Sequence, residues 1–196
     1  MKTKPLTFLL ALTFLFLFSG SVYGQEEVKK EYHDNGKLRI ERHYKNGIRH
    51  GLETEWYKNG KKRYEVLWKN GKGEGVETYW YHNGVKENET HYKNGKIDGV
   101  SKRWFKLGQK EWVWIYKNGK QEGLGTGWYK NGKKNYEVLY KNGKKDGAYK
   151  EWYKSGRKKF LYHYKNGKEN GLRKEWDENG TLIYEGNYVD GVEEIK

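Results

Sequence analysis

Histidine and glutamate residues recur along this chain, and their spacing decides whether they could perform metal or acid–base chemistry. His43, His91 and His163 occupy the same position in a 24-residue pattern. Two units separate His43 from His91, and if each unit forms two strands, they lie roughly 19 Å apart, too far to share a metal ion. We interpret them as surface polar residues.

A second repeated position carries carboxylates that resemble candidates for general acid–base catalysis. The row consists of Glu41, Glu65, Glu89, Glu137 and Glu185. Because the row recurs with the unit, it is explained more simply as a set of cross-strand partners for Lys and Arg. No Ser–His–Asp order, phosphate-binding glycine loop or metal-ligand spacing occurs, so we expect no enzyme activity, no cofactor and no metal.

The elements that position these side chains are marked by turn glycines whose spacing alternates between 11 and 13 residues. They are Gly36, Gly47, Gly60, Gly71, Gly84, Gly95, Gly108, Gly119, Gly132, Gly143, Gly156, Gly167, Gly180 and Gly191. This spacing defines a 24-residue unit copied seven times over residues 29–196. Regular repeats of this length predict an array built by stacking one supersecondary unit on the next.

The unit at residues 51–74 predicts one hairpin and one wider return. Asn59-Gly60 separates two alternating segments and favours a two-residue type I′ turn between strands at about residues 52–57 and 62–68. The segment from Asn70 to Gly75 is predicted to form the longer loop. We therefore expect an all-β, elongated, single-layer antiparallel meander of fourteen strands in seven repeats.

Aromatic residues at repeated positions are expected to form ladders across the hairpins and to stabilise them. The main ladder consists of Trp56, Trp80, Trp104, Trp128, Trp152 and Trp176. A second row runs from Trp68 through the tyrosines at the same position of later units. Trp56 should lie opposite Arg63, which would allow a cation–π contact.

Charge and composition limit the class of protein. The chain has 40 Lys and Arg against 26 Asp and Glu, only 34% hydrophobic residues and no cysteine. It cannot fill a deep globular core or form a disulfide framework. Lysines precede most turns, which predicts a basic stripe along each long edge. The stripes could serve solubility and prevent strand pairing, or could attract polyanions.

The first 24 residues predict a secretory signal peptide. Lys2 and Lys4 precede an apolar run at residues 6–18, and small residues follow before Gln25. An uncleaved anchor is the alternative, although the run is shorter than the roughly 20 residues that span a bilayer. We expect cleavage near Gly24 and a mature chain, residues 25–196, that is secreted or periplasmic.

The fourth repeat breaks the pattern, because Leu107-Gly108 replaces Asn-Gly. Large rings and bare glycines are predicted to share one face here: Phe105, Trp112, Trp114, Tyr116, Gly125 and Gly127. The glycines could simply make room for the rings, or they could leave a shallow aromatic binding patch. We take these residues as the candidate binding patch.

The recurring motif resembles the bacterial variant of the MORN repeat. It is clearest in Glu151-Trp152-Tyr153-Lys154-Ser155-Gly156 and in Tyr140-Lys141-Asn142-Gly143-Lys144-Lys145-Asp146-Gly147. The chain is similar to proteins labelled YwqK-type antitoxins, and the resemblance implies stacked hairpins that act as interaction scaffolds without catalytic residues. Choline- and glucan-binding repeats are a weaker alternative, because their opening Gly-Trp step occurs only at Gly127-Trp128.

Three functional classes remain open from the sequence. The favoured one is an exported scaffold that binds a protein partner. The others are a basic envelope-binding module for acidic lipid or glycan, and an antitoxin that neutralises a toxin. Nucleic acid is an unlikely partner outside the cytoplasm, and the glutamate rows oppose it. The oligomeric state is undetermined, although the terminal strands could pair end to end.

Overall fold

The structure is a computed structural model that describes residues 24–195. The predicted signal peptide, residues 1–24, therefore lies outside the described residues except for Gly24. The first strand begins at Glu26, next to the predicted start of the mature chain.

The described chain forms one antiparallel sheet in which each strand pairs with its neighbours in sequence, as predicted. Its strands are β1 (Glu26–Tyr32), β2 (Leu38–Lys45), β3 (Ile48–Arg49), β4 (Gly51–Trp56), β5 (Lys62–Lys69), β6 (Lys72–Trp80), β7 (Lys86–Lys93), β8 (Lys96–Trp104), β9 (Lys110–Lys117), β10 (Lys120–Gln121), β11 (Gly123–Trp128), β12 (Lys134–Lys141), β13 (Lys144–Trp152), β14 (Lys158–Lys165), β15 (Lys168–Glu169), β16 (Gly171–Trp176), β17 (Leu182–Val189) and β18 (Val192–Glu193).

The described sheet contains 18 strands, whereas the sequence predicts fourteen. Three of the predicted strands are each divided into two shorter strands by a single residue, which is His50, Glu122 or Asn170. When the two parts of each divided strand are counted as one, 15 strands remain. The additional one is the two-residue β18, which follows the last turn.

The two kinds of turn are the reverse of the prediction. At Asn70-Gly71 both residues have positive φ, 50° and 73°, and Lys69 pairs directly with Lys72. This is the two-residue type I′ turn. At Asn59-Gly60 only the glycine has positive φ, and Tyr57 N–H bonds to the Lys61 oxygen around a three-residue loop. The long loop predicted at residues 70–75 does not form.

The recurring glycine after each type I′ turn has a different role from the predicted one. Gly75 does not close a loop but lies inside β6 with φ 75°, next to an irregularity in the pairing with β5. Gly51 at the same position has φ 102°, and a Cβ there would lie 2.9 Å from the His43 Cβ. Glycine is needed here because the strand kinks through the left-handed region.

The register inside each hairpin agrees with the predicted faces. Leu52 pairs with Leu67 and Thr54 with Glu65, so Tyr64, Val66 and Trp68 share the opposite face. The longer loop at Asn59-Gly60 shifts only the hairpin end, where Trp56 lies opposite Lys62 rather than Arg63.

This shift changes the predicted cation–π contact. Lys62 Nζ lies 5.8 Å from the centre of the Trp80 ring in the next repeat. Lys134 makes the corresponding contact with Trp152 at 5.7 Å, and Lys158 with Trp176 at 5.7 Å. The tryptophan ladder therefore alternates Trp and Lys side chains across the sheet. The expected contact between Trp56 and Arg63 is wrong, and Arg63 instead bonds Glu55 at 2.9 Å.

Burial confirms a single layer. Among the described apolar side chains only Ile40, Val66 and Val138 are buried, with 2% exposure for each valine. Most other side chains along the strands are half-buried against their immediate neighbours. Stability therefore comes from contacts between adjacent repeats and not from a shared core.

Candidate binding groove at the fourth repeat

Consecutive repeats are joined by side-chain hydrogen bonds along one long edge of the sheet. We call this edge, formed by the turns at Gly36, Gly60, Gly84, Gly108, Gly132, Gly156 and Gly180, the first turn edge. Between the second repeat (51–74) and the third (75–98), three side chains donate to backbone oxygens of the next turn: Tyr57 to Trp80 at 2.6 Å, Asn59 to His82 at 3.1 Å and Lys61 to Asn83 at 2.6 Å.

The fourth repeat (99–122) lacks all three of these bonds. Phe105, Leu107 and Gln109 occupy the positions of Tyr57, Asn59 and Lys61. Across the described chain, none of the three bonds the fifth repeat (123–146) in this way. The flanking seams keep the tyrosine bond, with Tyr81 donating to Trp104 at 2.8 Å and Tyr129 donating to Trp152 at 2.8 Å, although Val85 replaces the lysine in the first of these seams.

An aromatic groove lies at this broken seam. It encloses about 640 Å³ and is lined by Phe105, Glu111, Trp112, Trp128, Tyr129, Lys130, Asn131, Asn135, Tyr136 and Lys154. That volume lies within the range of about 300–1,000 Å³ that is typical of ligand sites. We call it the seam groove.

Gly127 lies between two residues that line the groove, because it pairs with Trp112 on one side and Tyr136 on the other. Other repeats carry a large side chain at this position: Glu55, Tyr79, Arg103, Glu151 and Glu175. A Cβ at Gly127 would lie 2.3 Å from the Tyr136 ring, so that ring leans over the glycine.

The structure divides the predicted binding patch. Phe105 and Trp112 line the seam groove, whereas Trp114 packs over Gly125, where a Cβ would lie 2.2 Å from its ring. Trp114 also contacts Tyr136 and Tyr140, with ring centres 5.7 and 5.6 Å apart. Gly125 therefore makes room for a ring, and neither Trp114 nor Tyr116 faces the groove.

The sequence did not predict Trp128, Tyr129, Lys130 and Tyr136 of the fifth repeat, or Lys154 of the sixth, as lining residues. Trp128 occupies a position of the tryptophan ladder, so the sequence predicts for it a role in hairpin stability and not in binding. A sequence signal for the broken seam is the joint replacement of the Tyr, Asn and Lys positions by Phe105, Leu107 and Gln109.

The seam groove is positively charged at its rim. The Glu111 carboxylate pairs with Arg103 at 3.1 Å, and Arg103 also pairs with Glu87 at 3.3 Å. Lys130 lies 5.8 Å from the Phe105 ring centre, and neither Lys130 nor Lys154 has a carboxylate partner within residues 24–195. Burial raises the pKa of Tyr136 to about 12, so its hydroxyl stays a hydrogen-bond donor at neutral pH.

The opposite edge of the sheet, the second turn edge, carries ten exposed lysines. They form directly opposed pairs across five type I′ turns: Lys69–Lys72, Lys93–Lys96, Lys117–Lys120, Lys141–Lys144 and Lys165–Lys168. Nearby carboxylates instead bond the next turn's backbone, as Glu74 does with the Asn94 N–H at 2.8 Å. These lysines make no ion pair in the described part of the chain.

Two of the three aligned histidines bond the backbone, whereas His43 Nε2 lies 3.1 Å from the Glu41 carboxylate. His91 Nδ1 donates to the Val100 oxygen at 2.8 Å, and His163 Nδ1 donates to the Leu172 oxygen at 2.7 Å. In the region from residue 24 to 195 no cluster of three or more His, Cys, Asp or Glu side chains could hold a metal ion. The same region contains no helix long and apolar enough to cross a membrane.

Comparison with known proteins identifies the repeats. The MORN repeat variant family matches residues 28–46, 49–70, 73–94, 121–142, 145–166 and 169–190. These segments flank the fourth repeat on both sides and cover more than half of the chain. No curated protein matches. With its hairpin geometry and these matched segments, the chain belongs to the MORN repeat variant family.

Proposed function

We propose that this chain is an exported, non-catalytic repeat scaffold that binds a protein partner through the seam groove. The observation that carries the proposal is the coincidence of three features at one seam. The side-chain hydrogen bonds between repeats along the first turn edge are lost, Gly127 makes room for the Tyr136 ring, and aromatic rings line the groove.

Rigid aromatic side chains on a regular sheet suit partner binding, because they present a large contact area with little loss of side-chain entropy. The seams on either side keep their hydrogen bonds and hold the two walls of the groove in place. In this proposal the regular hairpins position the groove, and the fourth repeat contributes the residues that contact the partner protein.

The test is affinity capture from the native cell envelope with residues 25–196, compared with the variant Trp112→Asn. Asparagine is the residue at the equivalent position Asn88, so the strand accepts it. We expect one stoichiometric protein that survives a high-salt wash and is absent from the variant capture. Retention of the same protein by the variant would place the contact elsewhere.

A basic envelope-binding role is the second candidate, favoured by the ten unpaired lysines of the second turn edge. Binding of acidic lipid or glycan to this edge would be released by salt, because exposed charges are screened within about 8–10 Å at ordinary ionic strength. An antitoxin role is the third candidate, and the identity of a captured protein decides it.

A further inference from the structure

The seam groove has features that define the chemistry of its occupant. We propose that it binds an acidic, proline-containing segment of a partner protein in the polyproline II conformation. This inference rests on the proposed function and specifies the part of the partner that enters the groove.

The first argument is the shape and chemistry of the walls. The groove is lined by Phe105 and Trp112 of the fourth repeat and by Trp128, Tyr129 and Tyr136 of the fifth. Aromatic-lined grooves of this kind suit proline rings, which are flat, apolar and already restricted in conformation. A preformed polyproline II segment loses little entropy on binding.

The second argument is the set of unused hydrogen-bond donors. Trp112, Asn135 and Tyr136 line the groove, and their side-chain donors have no hydrogen-bond partner among the described residues. By contrast, Tyr64, the counterpart of Tyr136, donates to Glu77 at 3.0 Å. A polyproline II segment makes no internal hydrogen bonds, so its carbonyl oxygens are free to accept from these donors.

The third argument is charge. Since Arg103 already pairs with Glu111, the free charges at the rim are Lys130 and Lys154, which lie in consecutive turns of the first turn edge. They favour an acidic residue next to the prolines and oppose a basic one. A cationic ligand, which the aromatic rings alone would also attract, is disfavoured by these ammonium groups.

The test uses residues 25–196 and a synthetic peptide of about ten residues that alternates Glu with Pro-Pro, roughly 31 Å long in this conformation. Titration calorimetry should detect saturable binding. Trp112→Asn should weaken it at least tenfold, and Tyr136→Phe, which keeps the ring and removes only the donor, should weaken it severalfold. The second variant keeps the test valid if the first fails to fold.

Charge reversal gives a matched control. The double variant Lys130→Glu and Lys154→Glu should lose the acidic peptide and bind one in which Lys replaces Glu. Lys58→Glu with Lys106→Glu changes the same turn position outside the groove and should leave binding within twofold. Equal losses in both double variants would show a diffuse charge effect and overturn the proposal.

Failure of this inference is distinguishable from failure of the proposed function. If Trp112→Asn abolishes capture of the native partner while the peptide does not bind, the scaffold role stands and the polyproline chemistry is wrong. If an acidic oligosaccharide such as oligogalacturonate binds the groove and the peptide does not, the polyproline inference is wrong and the groove is a glycan site, which also contradicts the proposed protein partner. If capture survives in the variant and no peptide binds, both proposals fail.

Discussion

The Tyr57 hydroxyl lies 2.6 Å from the Trp80 backbone oxygen, and this bond ties one repeat to the next across the first turn edge. Tyr81 and Tyr129 repeat it with Trp104 and Trp152. Phe105 has the same ring without the donor, so the one chemical group that is missing can be restored by a single oxygen atom.

Phe105→Tyr should therefore stabilise the central seam. A hydroxyl placed as in Tyr57 would reach the Trp128 oxygen and contribute about 0.5–1.5 kcal/mol to the free energy of unfolding. Urea denaturation and amide hydrogen exchange of residues around the seam measure the effect. The matched variant Tyr129→Phe removes an existing bond and should cost a similar amount. A loss in Tyr129→Phe without any gain in Phe105→Tyr would show that the fourth-repeat turn is displaced beyond bonding distance.

Gly125→Ala should destabilise the array by about 1–3 kcal/mol, because the added methyl group overlaps the Trp114 ring. The added Cβ would lie 2.2 Å from that ring and has no free space. Gly73→Ala is the control, since its Cβ would lie 3.8 Å from Tyr92 in ordinary contact and its φ is not positive. Thermal unfolding followed by tryptophan fluorescence distinguishes the two. Equal melting temperatures for both variants would mean that Trp114 moves aside freely.

Trp80→Ala should open the array locally and not unfold it throughout. The ring contacts Lys62 of the preceding repeat, and in a single-layer sheet each repeat depends only on its neighbours. We expect a loss of about 1–3 kcal/mol, less than for a tryptophan in a closed core. Limited proteolysis followed by mass spectrometry should show new cleavage within residues 51–98 only. Cleavage spread evenly along the chain would indicate a more cooperative sheet.

Glu77→Gln should raise stability at neutral pH. Burial raises the pKa of the Glu77 carboxyl above its usual range, although Tyr64 and Tyr92 donate hydrogen bonds to it. For an acid with a raised folded-state pKa, the ionised form costs stability at pH 7. That cost disappears as the pH falls through the raised value. The advantage of the Gln variant should thus be largest near pH 7 and shrink towards pH 4 in melting experiments. A constant difference at all pH values would assign the effect to packing.

The turns show how much of the fold the sequence can predict. The alternating glycine spacing and the period-two pattern give the hairpins, the interior register and the single layer. They do not distinguish the two Asn-Gly turns, because the same dipeptide occurs in both. At Asn59 the side-chain oxygen accepts the Lys61 N–H at 3.0 Å, which favours the longer loop. At Asn94 the N–H bonds Glu74 of the preceding repeat, a contact that no local pattern reveals.

The candidate site was only half predictable for a related reason. Phe105 and Trp112 depart from their own columns and are visible in the sequence. Tyr136 and Tyr129 fit their columns, and Tyr136 lies over Gly127 where other repeats carry a large side chain. Residues that follow the repeat pattern can be assigned to the groove only when it is known which strands pair.

Reversing one lysine of an opposed pair should stabilise the second turn edge. Lys69 faces Lys72 directly, and like charges opposite each other across a sheet are unfavourable. Lys69→Glu should therefore gain about 0.2–1 kcal/mol at low ionic strength, and most of that gain should vanish in high salt. Lys45→Glu is the control, because Lys45 faces Ile48 and lies 3.8 Å from Glu26, so reversal gains no partner and loses one. Melting temperatures at low and high salt measure the effect.

A gain in Lys69→Glu alone would show that each opposed pair lowers stability, as expected of lysines kept free for an acidic ligand. Identical small changes in melting temperature in both variants would show that the opposed lysines do not lower stability, which leaves solubility as their physical role.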